Sequence, residues 1–160
     1  MVIAGVAGSG KTTVGRALAE RLHWTFYDAD DLHSAENRDL MRRGVPLDDA
    51  RREPWLRRVR AVIEWTLSEG AGAVVACSAL KVRYRAMLSE GLHGVRFVFL
   101  EADRALLLER LSHRTGHFAG TSLLDSQLEA LELPVDCRRF NAALPVPTLV
   151  DRIVDDLALR

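Results

Sequence analysis

Gly5-Val6-Ala7-Gly8-Ser9-Gly10-Lys11-Thr12 lies between an apolar run and an amphipathic stretch, and it matches G-x-x-x-x-G-K-[ST] at every fixed position. That context, strand before and helix after, is the one a phosphate-binding loop requires. Gly5, Gly8 and Gly10 let the backbone curl with its N–H groups inward, and a helix beginning near Lys11 adds the positive end of its dipole to the same hollow. Lys11 is placed to reach the β- and γ-phosphates of ATP as a point charge. The Thr12 hydroxyl is placed to ligate a Mg²⁺ that bridges them, and Ser9 and Thr13 complete the nucleotide-binding set.

Working outward, 160 residues suit one domain, taken as 1–160. The 22 basic and 22 acidic residues cancel. No global field therefore recruits nucleic acid or an anionic membrane, and anion binding must come from a local site. Only Lys11 and Lys81 of the basic residues are lysine, so each reads as a selected position in a chain that otherwise writes arginine. Cys77 and Cys137, far apart, suggest reduced thiols over a disulfide. No apolar run approaches the roughly 18 residues of a membrane span, so the expectation is a soluble, cytoplasmic protein.

Val2 to Ala4, Trp24 to Tyr27, Ala73 to Cys77, Val95 to Leu100 and Cys137 to Asn141 read as strands. Helices are expected at 11–22, about 34–43, from Asp49 or Pro54 to Glu69, at 82–89, 103–114, 123–131 and 147–159. Near-continuous apolar strands alternating with helices predict a parallel α/β sheet covered on both faces. Thr115 to Thr121, with Gly116 and Gly120, interrupts the pattern and is expected to be a mobile loop within a lid at about 112–128.

Ligands of such sheets sit beyond the carboxyl ends of the strands, which gathers the phosphate loop, Asp28 to Asp31 and Ser78 to Lys81 on one rim. On an extended backbone, Asp28 and Asp30 would aim the same way. Asp28, nearer the sheet, is expected to hold the metal's water shell. Asp30, further out, would orient an attacking hydroxyl and accept its proton. Residues 32–56 would supply the acceptor side through His33 and Arg52, the latter suited to a carboxylate. Lys81 with Arg83 and Arg85 makes the rim cationic. Arg110 and Arg114 lead into the lid, where arginine would neutralise charge on the transferring phosphoryl group. Neither N-K-x-D nor L-S-G-G-Q occurs, so a phosphotransferase is a better reading than a switch or a transport ATPase.

These residues converge on a family. The chain resembles the gluconokinases, of the small phosphate-loop kinase group that contains shikimate kinase. The resemblance rests on Asp28-Ala29-Asp30-Asp31-Leu32-His33, Arg52-x-Pro54-Trp55-Leu56, Cys77 to Lys81 with Tyr84-Arg85, Arg114-x-Gly116-His117-Phe118 and Leu123-Leu124-Asp125-Ser126-Gln127. It implies a five-stranded sheet of order 2-3-1-4-5, and ATP- and Mg²⁺-dependent phosphorylation of the 6-hydroxyl of D-gluconate. It also implies a lid carrying Arg114 and His117, with the base between Arg110 and the segment near Pro145. Asp30, His33, Arg52, Lys81, Arg85, His117 and Gln127 would then meet the acceptor. Dimers are common among similar proteins. A kinase for another hydroxy acid such as shikimate, or an ATP-binding regulator without transfer, is the alternative. Ala29, where the family usually has glycine, and Ser34, where it has proline, mark departures beside the acceptor site.

Overall fold

β1 (Val2–Ala4) occupies the centre of a five-stranded parallel sheet, because its residues are apolar on both faces and tolerate complete burial. In the computed structural model the strand order is β2-β3-β1-β4-β5, with β2 (Thr25–Asp28), β3 (Ala73–Ala76), β4 (Phe97–Glu101) and β5 (Arg138–Asn141). The structure describes residues 1–113, 117–133, 135 and 137–158, and of residues 117–121 only the backbone. Register is explicit: Val2 pairs with Val75 and Phe97, and Asp28 with Ala76. The expected order and all-parallel arrangement are what the chain adopts.

Alternation along the strands divides the interior into two cores. Val2, Ala4, Val75, Cys77 and Phe99 face one side, where α3 (Asp49–Ser68) and α4 (Val82–Ser89) cover them with Trp55, Leu56, Val59 and Leu88. Ile3, Val74, Val98 and Leu100 face the other. There α1 (Lys11–Leu22) and α7 (Val146–Asp156) supply Val14, Leu18, Leu149 and Ile153. A third, smaller cluster joins Val6 and Leu80 to Leu107 of α5 (Arg104–Ser112) and Leu124 of α6 (His117–Ala130). That cluster seats α6 on the phosphate-loop edge.

Helix ends follow local chemistry. α2 (Ala35–Arg42) is capped by Ser34, whose hydroxyl accepts from the Asn37 N–H at 3.1 Å, so the departure from proline at this position still starts the helix. Asp48 caps α3 and Asp103 caps α5 in the same way. α3 runs from Asp49 through Pro54, which sits within its second turn. α6 begins at His117, six residues earlier than expected: Gly120 is helical, because packing of the helix outweighs its weak propensity. Of the expected loop at 115–121, residues 117–121 are helical, and 115 and 116 lie outside the described residues. Among the described residues no helix is long and apolar enough to cross a membrane.

Candidate active site

The phosphate loop leaves β1 at Gly5, with φ of 146°, and a side chain there would meet Ser9 Oγ at 2.7 Å and the Leu100 carbonyl at 2.9 Å. Gly5 therefore makes the turn and does not line the hollow. Gly10 is the N-cap of α1 in the left-handed region, φ 93°, which turns the chain into the helix and leaves its first N–H groups for a ligand. Lys11 Nζ lies across the loop and donates to the Val6 carbonyl at 3.0 Å.

Two cavities meet at this loop, and Gly8 and Gly10 line both. The first, about 300 Å³, continues between Lys11 and Thr12 on one wall and Asp28, Asp30, His33, Arg52 and Gln127 on the others. Its size is at the lower end of the roughly 300–1,000 Å³ of small-molecule sites. The second, about 360 Å³, lies behind the loop and is lined by Ser9, Thr13, Arg110, Leu144 and Val146. Pro145, between the last two, is the N-cap of α7. Arg110 bridges the two walls of this second cavity: Nη2 donates to the Ala142 carbonyl at 2.7 Å and Nη1 to the Gly8 carbonyl at 3.4 Å.

The aspartates reach the first cavity by a route the sequence pattern did not anticipate. The backbone leaves the extended form at Asp28 and makes a 3₁₀ turn, Ala29–Leu32. Asp28 caps that turn through Oδ1, which accepts from the Asp30 N–H at 3.1 Å. Its Oδ2 accepts from the Thr12 hydroxyl at 2.9 Å. Asp30 remains a free acceptor on the cavity wall. Burial holds its carboxyl above the usual range, Asp28 and Asp31 add to the shift, and Lys11 opposes it. Ala29 is fully buried, and its carbonyl accepts from Trp55 Nε1 at 2.6 Å.

His33 stacks on Trp55 with centroids 4.2 Å apart and planes 13° from parallel. Burial first, then Arg52, Arg38 and Arg58, lower its pKa to about 4, so the ring is neutral at physiological pH. Arg52 Nε donates to the Leu47 carbonyl at 2.9 Å, which fixes the guanidinium on the cavity wall. Gln127, on α6, accepts through Oε1 from the Ala7 N–H of the phosphate loop at 2.6 Å. Because that partner is a donor, the amide nitrogen is turned away from the loop.

Two expected acceptor residues are placed elsewhere. Lys81 Nζ pairs with Asp49 at 3.3 Å, and Asp49 also takes Arg83 and the Tyr84 hydroxyl. A carboxylate at the start of α3 thus outcompetes the cavity for this ammonium, and Lys81 does not line it. Arg85 is 1% exposed and donates from Nη1 to the carbonyls of Ala79 and Leu80. It secures the loop after β3 from beneath instead of facing substrate. Arg60 ties α3 to the end of α4 through the carbonyls of Met87 and Glu90. Arg114 and the side chain of His117 lie outside the described residues. Trp55, which the sequence offers only within Arg52-x-Pro54-Trp55-Leu56, also lines the first cavity. Its proximity to Arg52 in Arg52-x-Pro54-Trp55, one helical turn on the same face, was the available signal.

A phosphate loop at the C-terminal edge of a 2-3-1-4-5 parallel sheet, opening on a pocket lined by Asp28, Asp30 and Arg52 and backed by a second cavity, defines a small phosphate-loop kinase. The family model described as shikimate kinase matches residues 7–134. A probable gluconokinase from Dictyostelium discoideum is 43% identical over 98% of this chain and 83% of its own length. Among solved structures, a sugar kinase from Janibacter sp. superposes with a TM-score of 0.90 at 38% identity, covering 99% of this chain and 93% of the other. A gluconokinase from Sinorhizobium meliloti superposes with a TM-score of 0.82 at 41% identity, covering 98% and 94%. The chain belongs to the gluconokinase family, within the shikimate-kinase-like phosphate-loop kinases.

Proposed function

We propose that this kinase transfers the γ-phosphoryl group of ATP to the 6-hydroxyl of D-gluconate, giving 6-phospho-D-gluconate and ADP. The observation that carries the reading is that one cavity of about 300 Å³ sets Lys11 and Thr12 opposite Asp30, with Arg52 on the same wall system. A polyanionic triphosphate tail and a sugar acid have complementary places there. The identity of about 40% to proteins named gluconokinases favours gluconate over shikimate as acceptor.

ATP fits with its base in the cavity beside Arg110 and its phosphates along Gly8 to Thr12. Thr12 Oγ1 and Asp28 Oδ2, already 2.9 Å apart, form a hard oxygen pair suited to Mg²⁺. Among the described residues no cluster of three or more metal-binding side chains exists. Once bound, Mg²⁺ would neutralise phosphate charge.

Arg52 reads the acid's carboxylate and so sets which end of the acceptor faces the nucleotide. Asp30 accepts a hydrogen bond from the 6-hydroxyl and then its proton as the oxygen attacks the γ-phosphorus in line; its raised pKa makes it a stronger base than an ordinary carboxylate. Lys11 follows the charge that develops on the β/γ bridge. Gln127 links α6 to the loop; on the family resemblance Arg114 is assigned the neutralising of charge on the transferring group and His117 an acceptor contact.

A coupled ADP-release assay over a panel of acids tests this. D-gluconate should give saturable turnover with a stoichiometric 6-phosphate product. Strong turnover on shikimate without turnover on gluconate overturns the acceptor, and tight ATP binding with no acid-stimulated ADP release overturns the kinase reading in favour of a regulator.

A further inference from the structure

Asp30 is carried by the 3₁₀ turn Ala29–Leu32, and a turn of that length has too little hydrogen bonding of its own to hold a side chain still. Its carbonyls show what holds it. That of Asp30 takes the His33 N–H at 3.3 Å. The other three take side chains from the helices beyond: Ala29 takes Trp55 Nε1 at 2.6 Å, Asp31 takes Arg38 Nη1 at 3.2 Å and Leu32 takes Arg58 Nη1 at 3.1 Å. Trp55 and Arg58 both belong to α3, so one helix grips the turn at its first and last residues.

The grip at Ala29 reaches Asp30 through a single rigid unit. The Ala29 carbonyl and the Asp30 N–H are the two poles of one peptide group, and Asp30 Cα lies in its plane. Trp55 fixes the oxygen of that plane. Asp28 Oδ1 fixes the N–H at 3.1 Å, while Asp28 Oδ2 holds the Thr12 hydroxyl at 2.9 Å. The peptide in front of Asp30 is therefore pinned on one side to α3 and on the other to the helix that leaves the phosphate loop. Trp55 is 2% exposed and Ala29 fully buried, so removing the indole N–H leaves the carbonyl without a partner. Filling this part of the core needs only an apolar ring; the donor is what tryptophan adds. Arg52 stands one turn earlier on the same helix, so the element that addresses the acceptor's carboxylate also sets the group that addresses its hydroxyl.

We propose that Trp55 is a positioning residue, with Arg58 as its companion at the far end of the turn: through the Ala29 and Leu32 carbonyls they hold the Asp30 carboxylate on the line of proton transfer from the attacking hydroxyl. The inference rests on the assignment of Asp30 as base given above, and it adds what keeps that base in register with the phosphates. A misplacement of about 1 Å at a reacting group costs on the order of 10²-fold in rate.

The test is a cycle in the full chain: wild type, Trp55→Phe, Asp30→Asn and the double variant, compared by coupled ADP release on D-gluconate, with Tm and the KM for ATP recorded alongside. Phenylalanine keeps an aromatic face for His33 and removes the N–H. In the wild-type background Trp55→Phe should lower kcat about 10- to 100-fold while the KM for ATP stays within about 3-fold. In the Asp30→Asn background the same substitution should cost less than about 2-fold, because the group it positions is already gone. A residue that serves the fold alone lowers turnover equally in both backgrounds. That result, or a kcat within about 2-fold of wild type in Trp55→Phe, overturns the proposal. Arg58 is exposed, and Arg58→Met frees the Leu32 carbonyl without touching the core, so it carries the same cycle where Trp55→Phe does not fold. Its kcat should fall about 3-fold or more, and the loss should disappear beside Asp30→Asn; no loss, or an equal loss in both backgrounds, overturns the proposal. Near wild-type turnover in Asp30→Asn by itself refutes the base assignment, and a wild type that phosphorylates no polyhydroxy acid refutes the acceptor reading. Either takes this inference with it, and both are told apart from its own failure by rows that leave Trp55 and Arg58 intact.

Discussion

Asp30→Asn separates the chemistry of this site from its architecture. The side chain of Asp30 makes no capping bond, since the 3₁₀ turn is held by its backbone N–H on Asp28 and by the His33 N–H on its carbonyl. Asparagine has the same shape and leaves both bonds in place. What it removes is the base. Loss of a positioned proton acceptor costs about 10²- to 10⁴-fold in kcat, equivalent to roughly 2.7–5.4 kcal/mol of barrier. Stability should move the other way: burial and the neighbouring Asp28 and Asp31 charges disfavour the ionised carboxylate, so neutralising it at pH 8 relieves a penalty only partly offset by Lys11. Thermal unfolding should therefore show an unchanged or higher Tm beside the lost turnover. A pH series on the wild type should place the acid limb of kcat/KM above the range of an ordinary carboxylate, and that limb should vanish in the variant. Turnover in Asp30→Asn above about one third of wild type would refute the assigned role, because no base worth less than about 1 kcal/mol is a base in mechanism.

Arg110→Ala should raise the KM for ATP by about 10-fold or more with little change in the KM for gluconate, since Arg110 lines only the rear cavity and anchors its walls through Ala142 and Gly8; equal effects on both substrates would contradict the division of cavities. Lys81→Met should change the gluconate KM by less than about 3-fold and stability by under about 1 kcal/mol, because its partner is a half-exposed Asp49 and not the substrate. A large, acceptor-selective rise in KM would return Lys81 to the site. Acid titration of stability should carry a His33 component. Unfolded, the ring binds a proton below about 6.5, whereas folded it does so only near 4. The unfolded chain therefore holds more protons in that window and stability falls as pH drops through it, by at most about 3 kcal/mol at pH 4. His33→Phe should show a shallower decline over the same range in denaturant melts.

Much of this protein was readable from local pattern. The octet Gly5 to Thr12 prescribes its own geometry, because glycine, lysine and threonine at fixed offsets are what a polyphosphate cradle needs and few other loops can use. Continuous apolar strands declared a sheet buried on both faces, and Val2, Ile3 and Ala4 do alternate between two cores. Asp28, Asp30, His33 and Arg52 also reach one cavity, although through a 3₁₀ turn and not an extended strand.

The tertiary structure decided which partner each versatile side chain takes. Lys81 was a reasonable reader of anions until Asp49, 32 residues upstream, met it at the start of α3. Arg85 resembled a rim cation and proved to be buried under the Ala79 and Leu80 carbonyls. Gln127 finds the phosphate loop across 120 residues, and His33 finds Trp55. Most of the backbone form depends on neighbours a few residues away, so sequence carries it, the 3₁₀ turn at Ala29–Leu32 and the early start of α6 excepted. The pairing of long charged and polar side chains is a competition among distant groups, settled only when the fold brings the competitors to one place.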